Sequence, residues 1–209
     1  MMSMLSSSLL RTQLPKSQPP PIADLLQPKT IRKDFPARSL LPTVQEGWRI
    51  ETGFVRTLSY LEDGTLVPLG VWGPGDTVGL PRLGTPQQVE CLTKVSALLA
   101  AIADDRQVNE ILLAHLQQAQ ELMLIRSHPR IELMLIKLLG WLGRRFGRTV
   151  DRGQLLELRL THQDIAELLG ATRVTITRTL HQLEQQGLIE RLSLRQILLH
   201  EWETWHYEI

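Results

Sequence analysis

Apolar positions change their spacing twice along this chain of 209 residues. From about Ile31 to Ala103 they come in short β-branched or apolar runs, as in "RIETGFVRTLSYLEDGTLVPLGVWGPGDTVGL", cut by "EDG" and "GPGD". Asp-Gly between runs of strand length is a strong hairpin signal, and Gly73-Pro74-Gly75-Asp76 is a second turn, because glycine accepts the positive φ that tight turns demand. The pattern predicts a small all-β domain over 31–103, of roughly six to eight short strands.

At Asp104-Asp105 the spacing becomes helical. Val108, Ile111, Leu112, His115, Leu116, Ala119, Leu122 and Met123 recur at steps of three and four, with no Gly or Pro before Pro129. The two aspartates suit the positive pole of a helix start. This apolar band is wider than one core-facing stripe needs. A helix over 104–127 is therefore expected to cover its own β-domain with one face and to meet a second copy through those eight residues. The plain alternative is an ordinary buried helix, with His115 a satisfied core histidine.

Pro129 ends that helix or begins the next, with Ser127 or His128 as cap. "RIELMLIKLLGWLGRRFG" reads as a second amphipathic helix stopped at Gly147, "TVDRGQ" as a turn and "LLELRL" as a short strand. Thr161 with Asp164 three residues on is close to a capping box. Ile165, Leu168 and Leu169 make the apolar face of that helix, Gly170 closes it, and Thr172 caps the next. In this last helix Val174, Ile176, Leu180 and Leu183 are expected in the core. Arg173, Thr175, Thr177, Arg178 and His181 are left to the exposed side. Gly187 ends it, and "LIERLSLRQILLH" reads as a hairpin.

The helix opens on "TRVTITRT", a stretch rich in threonine and β-branched residues, which lose rotamer freedom in helices. The element order (strand, helix, short glycine turn, helix, hairpin) is that of a winged helix-turn-helix, whose second helix enters the DNA major groove. There arginine pairs with guanine, threonine hydroxyls reach phosphates and threonine methyls meet thymine methyls. The predicted DNA-binding residues of this helix are Thr172, Arg173, Thr175, Thr177 and Arg178. The expected fold class is α+β.

Charge sharpens this reading. Residues 1–127 balance 12 Lys/Arg against 12 Asp/Glu, whereas 128–200 carry 11 against 7. The excess positive charge accompanies the helix-turn-helix, as phosphate binding requires. A single cysteine, Cys91, excludes a disulfide framework and a cysteine-rich metal site within the chain. The leader 1–30, rich in Ser and Pro, is expected to be disordered. No apolar window reaches membrane-spanning length, so a cytoplasmic protein is the expectation. No phosphate loop, nucleophile elbow, HExxH or acid–base cluster suggests an enzyme.

"LTHQDIAELLGATRVTITRTLHQLEQQGLIE" resembles the DNA-binding domain of the Crp/Fnr family of bacterial transcription regulators. Within that family "TRVTITR" is most similar to the cyanobacterial nitrogen-control regulators. The upstream glycines and "GPGD" resemble the family's β-roll, with its first strands expected to be replaced by the leader, and 104–127 resembles its dimerisation helix. The resemblance implies domains at 31–103, 104–127 and 128–209. It also implies a homodimer with recognition helices in successive major grooves of double-stranded DNA, Arg173 and Arg178 at guanine or backbone, Thr161, His162 and Gln163 at phosphates, and a GTA-type half-site. The family's cyclic-nucleotide pocket is not carried over, since Leu80 stands where its glutamate falls and Thr85-Pro86-Gln87-Gln88 lack its arginine. We expect no cofactor and no cyclic AMP binding. A 2-oxoglutarate-responsive regulator, through Arg82 or Arg126, is the alternative, and a winged-helix protein-interaction module is another. The acidic aromatic tail "EWETWHYEI" suggests RNA polymerase or the partner subunit as contacts, or packing on its own domain.

Overall fold

The computed structural model describes residues 31–193 and 196–200, apart from 43, 45, 80–87, 101 and 103. The leader, the aromatic tail and the loop with Leu80, Arg82 and Thr85 to Gln87 lie outside the described residues.

The N-terminal domain contains β1 (Arg32–Phe35), β2 (Leu40–Leu41), β3 (Trp48–Thr52), β4 (Val55–Tyr60), β5 (Leu66–Trp72), β6 (Thr77–Val78), β7 (Gln88–Cys91) and β8 (Val95–Leu99). They make two four-stranded sheets, ordered β1-β8-β3-β6 and β2-β7-β4-β5, paired antiparallel throughout. Alternate residues such as Trp48, Ile50, Val89, Cys91, Val95 and Ala97 point into one apolar core. The expected "EDG" turn joins β4 to β5: Leu61 N–H donates to the Thr65 carbonyl at 2.9 Å, and Gly64 takes φ 82°.

Helix α1 (Asp105–Arg126) starts as expected, with the Asp104 carboxylate accepting from Gln107 N–H. Its inner stripe is His115, Gln118, Leu122 and Ile125, again at steps of three and four. Gln118 Oε1 accepts from Val71 N–H at 3.0 Å. Gly70 permits this approach, since a Cβ there would lie 2.8 Å from that same oxygen. His115 stacks on Trp72 with ring centroids 3.9 Å apart, and its Nε2 donates to the Thr77 carbonyl at 3.0 Å.

These contacts correct two of the interface expectations. His115 and Leu122 are turned into their own protomer, as buried partners of the β-domain. Val108, Ile111, Leu112 and Ala119 are half-buried, while Leu116 and Met123 stay 65% exposed. Leu113, absent from the expected set, is 64% exposed on the same outer side.

Helix α2 (Ile131–Phe146) is capped by Arg130, not by Ser127 or His128. Ser127 instead closes α1, its hydroxyl donating to the Leu124 carbonyl. Pro129 therefore stands ahead of the cap rather than at the first helical position. Past Gly147 the chain runs directly into β9 (Gly147–Val150) and β10 (Gly153–Leu156), a hairpin where the sequence suggests a turn and a later strand.

Helices α3 (His162–Leu169) and α4 (Arg173–Gln185) follow, then β11 (Ile189–Ser193) and β12 (Gln196–Leu199). The four strands form one sheet, ordered β11-β12-β10-β9. A continuous apolar core runs from Val71 and Leu92 of the β-domain through Leu122 and Ile125 to Leu138, Ile165, Ile176 and Leu183. Polar ties reinforce it: Trp141 Nε1 donates to Glu121 at 2.6 Å, and Arg145 pairs with Asp76 at 3.1 Å.

Candidate nucleic-acid interface

Local sequence sets the geometry of the two helices. Thr161 and Asp164 form a full capping box: Asp164 N–H donates to Thr161 Oγ1 at 3.1 Å, and Thr161 N–H to Asp164 Oδ2 at 2.8 Å. Gly170 takes φ 66°, with its N–H on the Glu167 carbonyl and that of Ala171 on Ala166, a Schellman closure. Thr172 then caps α4 by accepting from Thr175 N–H at 3.1 Å. Gly187, at φ 72°, closes α4 the same way through the carbonyls of Glu184 and Leu183.

Helix α4 turns Ile176, Thr179, Leu180 and Leu183 inward. Val174 lies about 200° around from Ile176 at 100° per residue. The expectation of a core Val174 is accordingly wrong: it is 68% exposed. It shares the outer surface with Thr172, Arg173, Thr177, Arg178 and His181, all exposed, while Thr175 is half-buried.

The threonines are tied more closely to their own helix than the sequence suggests. Thr177 Oγ1 donates to the Arg173 carbonyl and Thr179 Oγ1 to the Thr175 carbonyl, both at 2.9 Å. With its one hydrogen committed, Thr177 accepts from His162 Nδ1 at 2.8 Å, a bond that ties α3 to α4. Its hydroxyl hydrogen is thus not available to a phosphate. Burial, then the charges of Arg191 and Arg173, lower the His162 pKa, which favours the neutral ring.

Thr161, His162, Gln163 and Arg173 line one concavity with Arg159 and Arg191. The last two were missed because nothing in their local sequence marks them, and the fold alone brings them beside α3. Arg191 on β11 is held by Glu184 of α4, with Nε at 3.1 Å, so the wing is fixed to the second helix. Arg148 and Arg152 are likewise paired, with Glu157 and Glu190. Arg173 and Arg178 differ, since neither has a carboxylate partner among the described residues. The first turn of α4 also contains no acidic residue. Arg173, unneutralised in the first turn at the positive end of the helix dipole, makes a site for anions, and Arg178 adds a second unneutralised guanidinium farther along the helix.

Residues 134–204 match the family model of the Crp-like helix-turn-helix domain. Regulatory protein CysR of Synechococcus elongatus is 39% identical over 183 residues, which span 82% of this chain and 88% of that protein. The chain belongs to the Crp/Fnr family. As a Crp/Fnr protein it is a DNA-binding transcription regulator and not an enzyme. The global nitrogen regulator of Synechocystis sp. is 36% identical over 74 residues, 35% of this chain and 32% of its own length. The structure of FixK2 from Bradyrhizobium japonicum superposes with a TM-score of 0.71 at 23% identity, over 85% of this chain and 96% of that one. The Crp/Fnr fold expected from the sequence, β-sheets followed by helices and a helix-turn-helix, is therefore present.

Proposed function

We propose that this regulator works in the cytoplasm as a homodimer on a two-fold symmetric DNA site, and needs no small-molecule effector, cyclic AMP included. The observation that carries the reading is the apolar stripe α1 leaves bare: Leu113 at 64%, Leu116 at 65% and Met123 at 65% exposure. Their steps of three, then four plus three through Gln120, are those of a coiled-coil seam. Covering such side chains stabilises by ~1.5–3 kcal/mol each, and an isologous contact counts every one twice. A dyad along α1 pairs the two α4 helices for successive major grooves.

The charge lining of the cavity between the β-domain and α1, about 650 Å³, favours the effector-free form. It presents Glu46, Asp76 and Glu110 against Arg49. Asp76 and Glu110 are already paired with Arg145 and Arg106, so among the described lining residues Arg49 would be left to hold both ends of a dicarboxylate such as 2-oxoglutarate beside Glu46, a weak grip for a doubly charged ligand.

Selection from a random double-stranded DNA library with purified protein and no added effector tests the proposal. The expected product is a two-fold symmetric site with GTA-like arms, together with a dimer in sedimentation that Leu116→Glu converts to monomer. A motif of one half-site, or one that emerges only with 2-oxoglutarate, would overturn it.

A further inference from the structure

Five charged side chains from distant parts of the chain meet where the β-domain touches α3. Arg38, in the turn between β1 and β2, places both guanidinium nitrogens on Asp164: Nη1 on Oδ1 at 2.6 Å and Nη2 on Oδ2 at 2.7 Å. Arg56 of β4, only 4% exposed, donates from Nε to Glu90 of β7 at 2.8 Å and from Nη1 to Glu167 of α3. Its Nη1 also lies 3.6 Å from Asp164, and Glu90 lies 3.6 Å from Arg38. Every charge in the cluster thus faces an opposite one, as burial requires.

Two features set the cluster apart from ordinary surface pairing. Asp164 is the carboxylate of the α3 capping box, so the β-domain grips the group that also fixes the first turn of that helix. Arg38 has φ 68°, and it is the one non-glycine residue with positive φ among the described residues. Glycine takes that conformation freely and a long side chain does not. The turn keeps an arginine against its backbone preference, and the guanidinium that results reaches Asp164 and Glu90.

Apolar contact alone lets two bodies slide past each other, whereas a two-pronged fork on a carboxylate sets both distance and angle. We propose that Arg38 and Arg56 are positioning residues for DNA binding. They lock α3, and through it the recognition helix α4, onto the β-domain in one orientation. The separation of the two DNA-binding faces of a dimer is then set by an internal ion-pair network, where a bound effector would otherwise have to set it. The inference rests on the homodimer reading above.

Arg38→Gly is the deciding variant, because it removes the fork while relieving the left-handed backbone, so loss of folding is not expected. Binding to a full two-fold site, to single half-sites and to sites with altered spacing is measured for wild type, Arg38→Gly and Arg38→Lys. In parallel, spin labels at Glu62 and Gln182, both exposed, report the distance between the β-domain and α4 without DNA. Arg38→Gly is expected to keep half-site affinity, lose about tenfold on the full site, tolerate altered spacing and broaden the label distance, with Arg38→Lys recovering part of each. An unchanged distance distribution and an unchanged spacing preference in Arg38→Gly would overturn the inference. If wild type itself showed no preference for the full site over a half-site, the homodimer reading would fall. The label distances, measured within one protomer, would still distinguish that failure from a failure of the lock.

Discussion

Arg178→Ala tests the assignment of α4 most directly. The side chain is exposed and has no partner among the described residues, so its removal leaves no buried group unsatisfied. Folding stability is expected to change by no more than ~0.5 kcal/mol, as for other surface positions. In the complex the loss is of another order. A bidentate arginine–guanine contact is worth ~1–3 kcal/mol, and a dimer places two of them. Specific affinity should drop by roughly thirtyfold at the low end and about twenty-thousandfold at the high end, at ~1.4 kcal/mol per factor of ten. Fluorescence anisotropy on labelled duplexes over a range of salt concentrations separates the two forms such a contact takes. If Arg178 reads a base, the loss concentrates at one position of each half-site. If it holds a phosphate, all sequences weaken alike and the salt slope falls by ~1 per copy. Wild-type affinity with wild-type base preference in the variant would refute the placement of α4 against DNA.

Two further outcomes follow from side chains the structure relocates. Val174→Glu should leave the unfolding midpoint nearly unchanged, because the residue is 68% exposed, yet alter the selected DNA sequence; a cooperative loss of stability in urea would mean that Val174 is packed after all. Burial, the largest influence, pulls His115 below its ordinary pKa of 6.5, against the Thr77 carbonyl and Asp76. A depressed histidine pKa contributes stability that is complete above that ordinary value and is lost as pH falls through the lowered one. Urea midpoints from about pH 7 to about pH 5 should therefore fall for wild type, and fall less for His115→Phe, which retains the stack on Trp72; parallel curves would refute the buried neutral histidine.

What was legible in the sequence was mostly local. The "EDG" turn and the caps at Asp104, Thr161, Gly170, Thr172 and Gly187 depend on residues within a few positions of each other, and all stand where the chain spelling puts them. The β9–β10 hairpin was hidden because β9 has no buried residue and no apolar alternation, and leaves α2 with no intervening turn. On α1 the apolar band was evident, but its division was not. Only the presence of Trp72 and Thr77 beside His115, and the 64% exposure of Leu113, separate an inner stripe from an outer one. Val174 stands outside the core because residues two apart lie about 200° apart around a helix, so it cannot share the buried face of Ile176. No pattern could join Arg38 to Asp164, which stand 126 residues apart.

The two departures from local preference lie on either side of α3. This helix has eight residues, too few to persist alone in water. It is held at its start by the Thr161–Asp164 box, along its buried face by Ile165, Leu168 and Leu169, and from the β-domain by the Arg38 fork. Helix α4 begins with residues of poor helix propensity, and their hydroxyls return to its own carbonyls, a habit that mildly weakens helices. Its first turns are therefore held by packing of Ile176 and Leu180 and by the His162–Thr177 bond from α3. Rigidity passes from the β-domain to α3 and, through the His162–Thr177 bond, from α3 to α4. Arg173 and Arg178 are then placed on the outer face with no carboxylate partner among the described residues, beside the exposed Val174. Substitutions there are expected to alter which DNA is bound, whereas substitutions at Arg38 or Asp164 alter how firmly the reading surface is held.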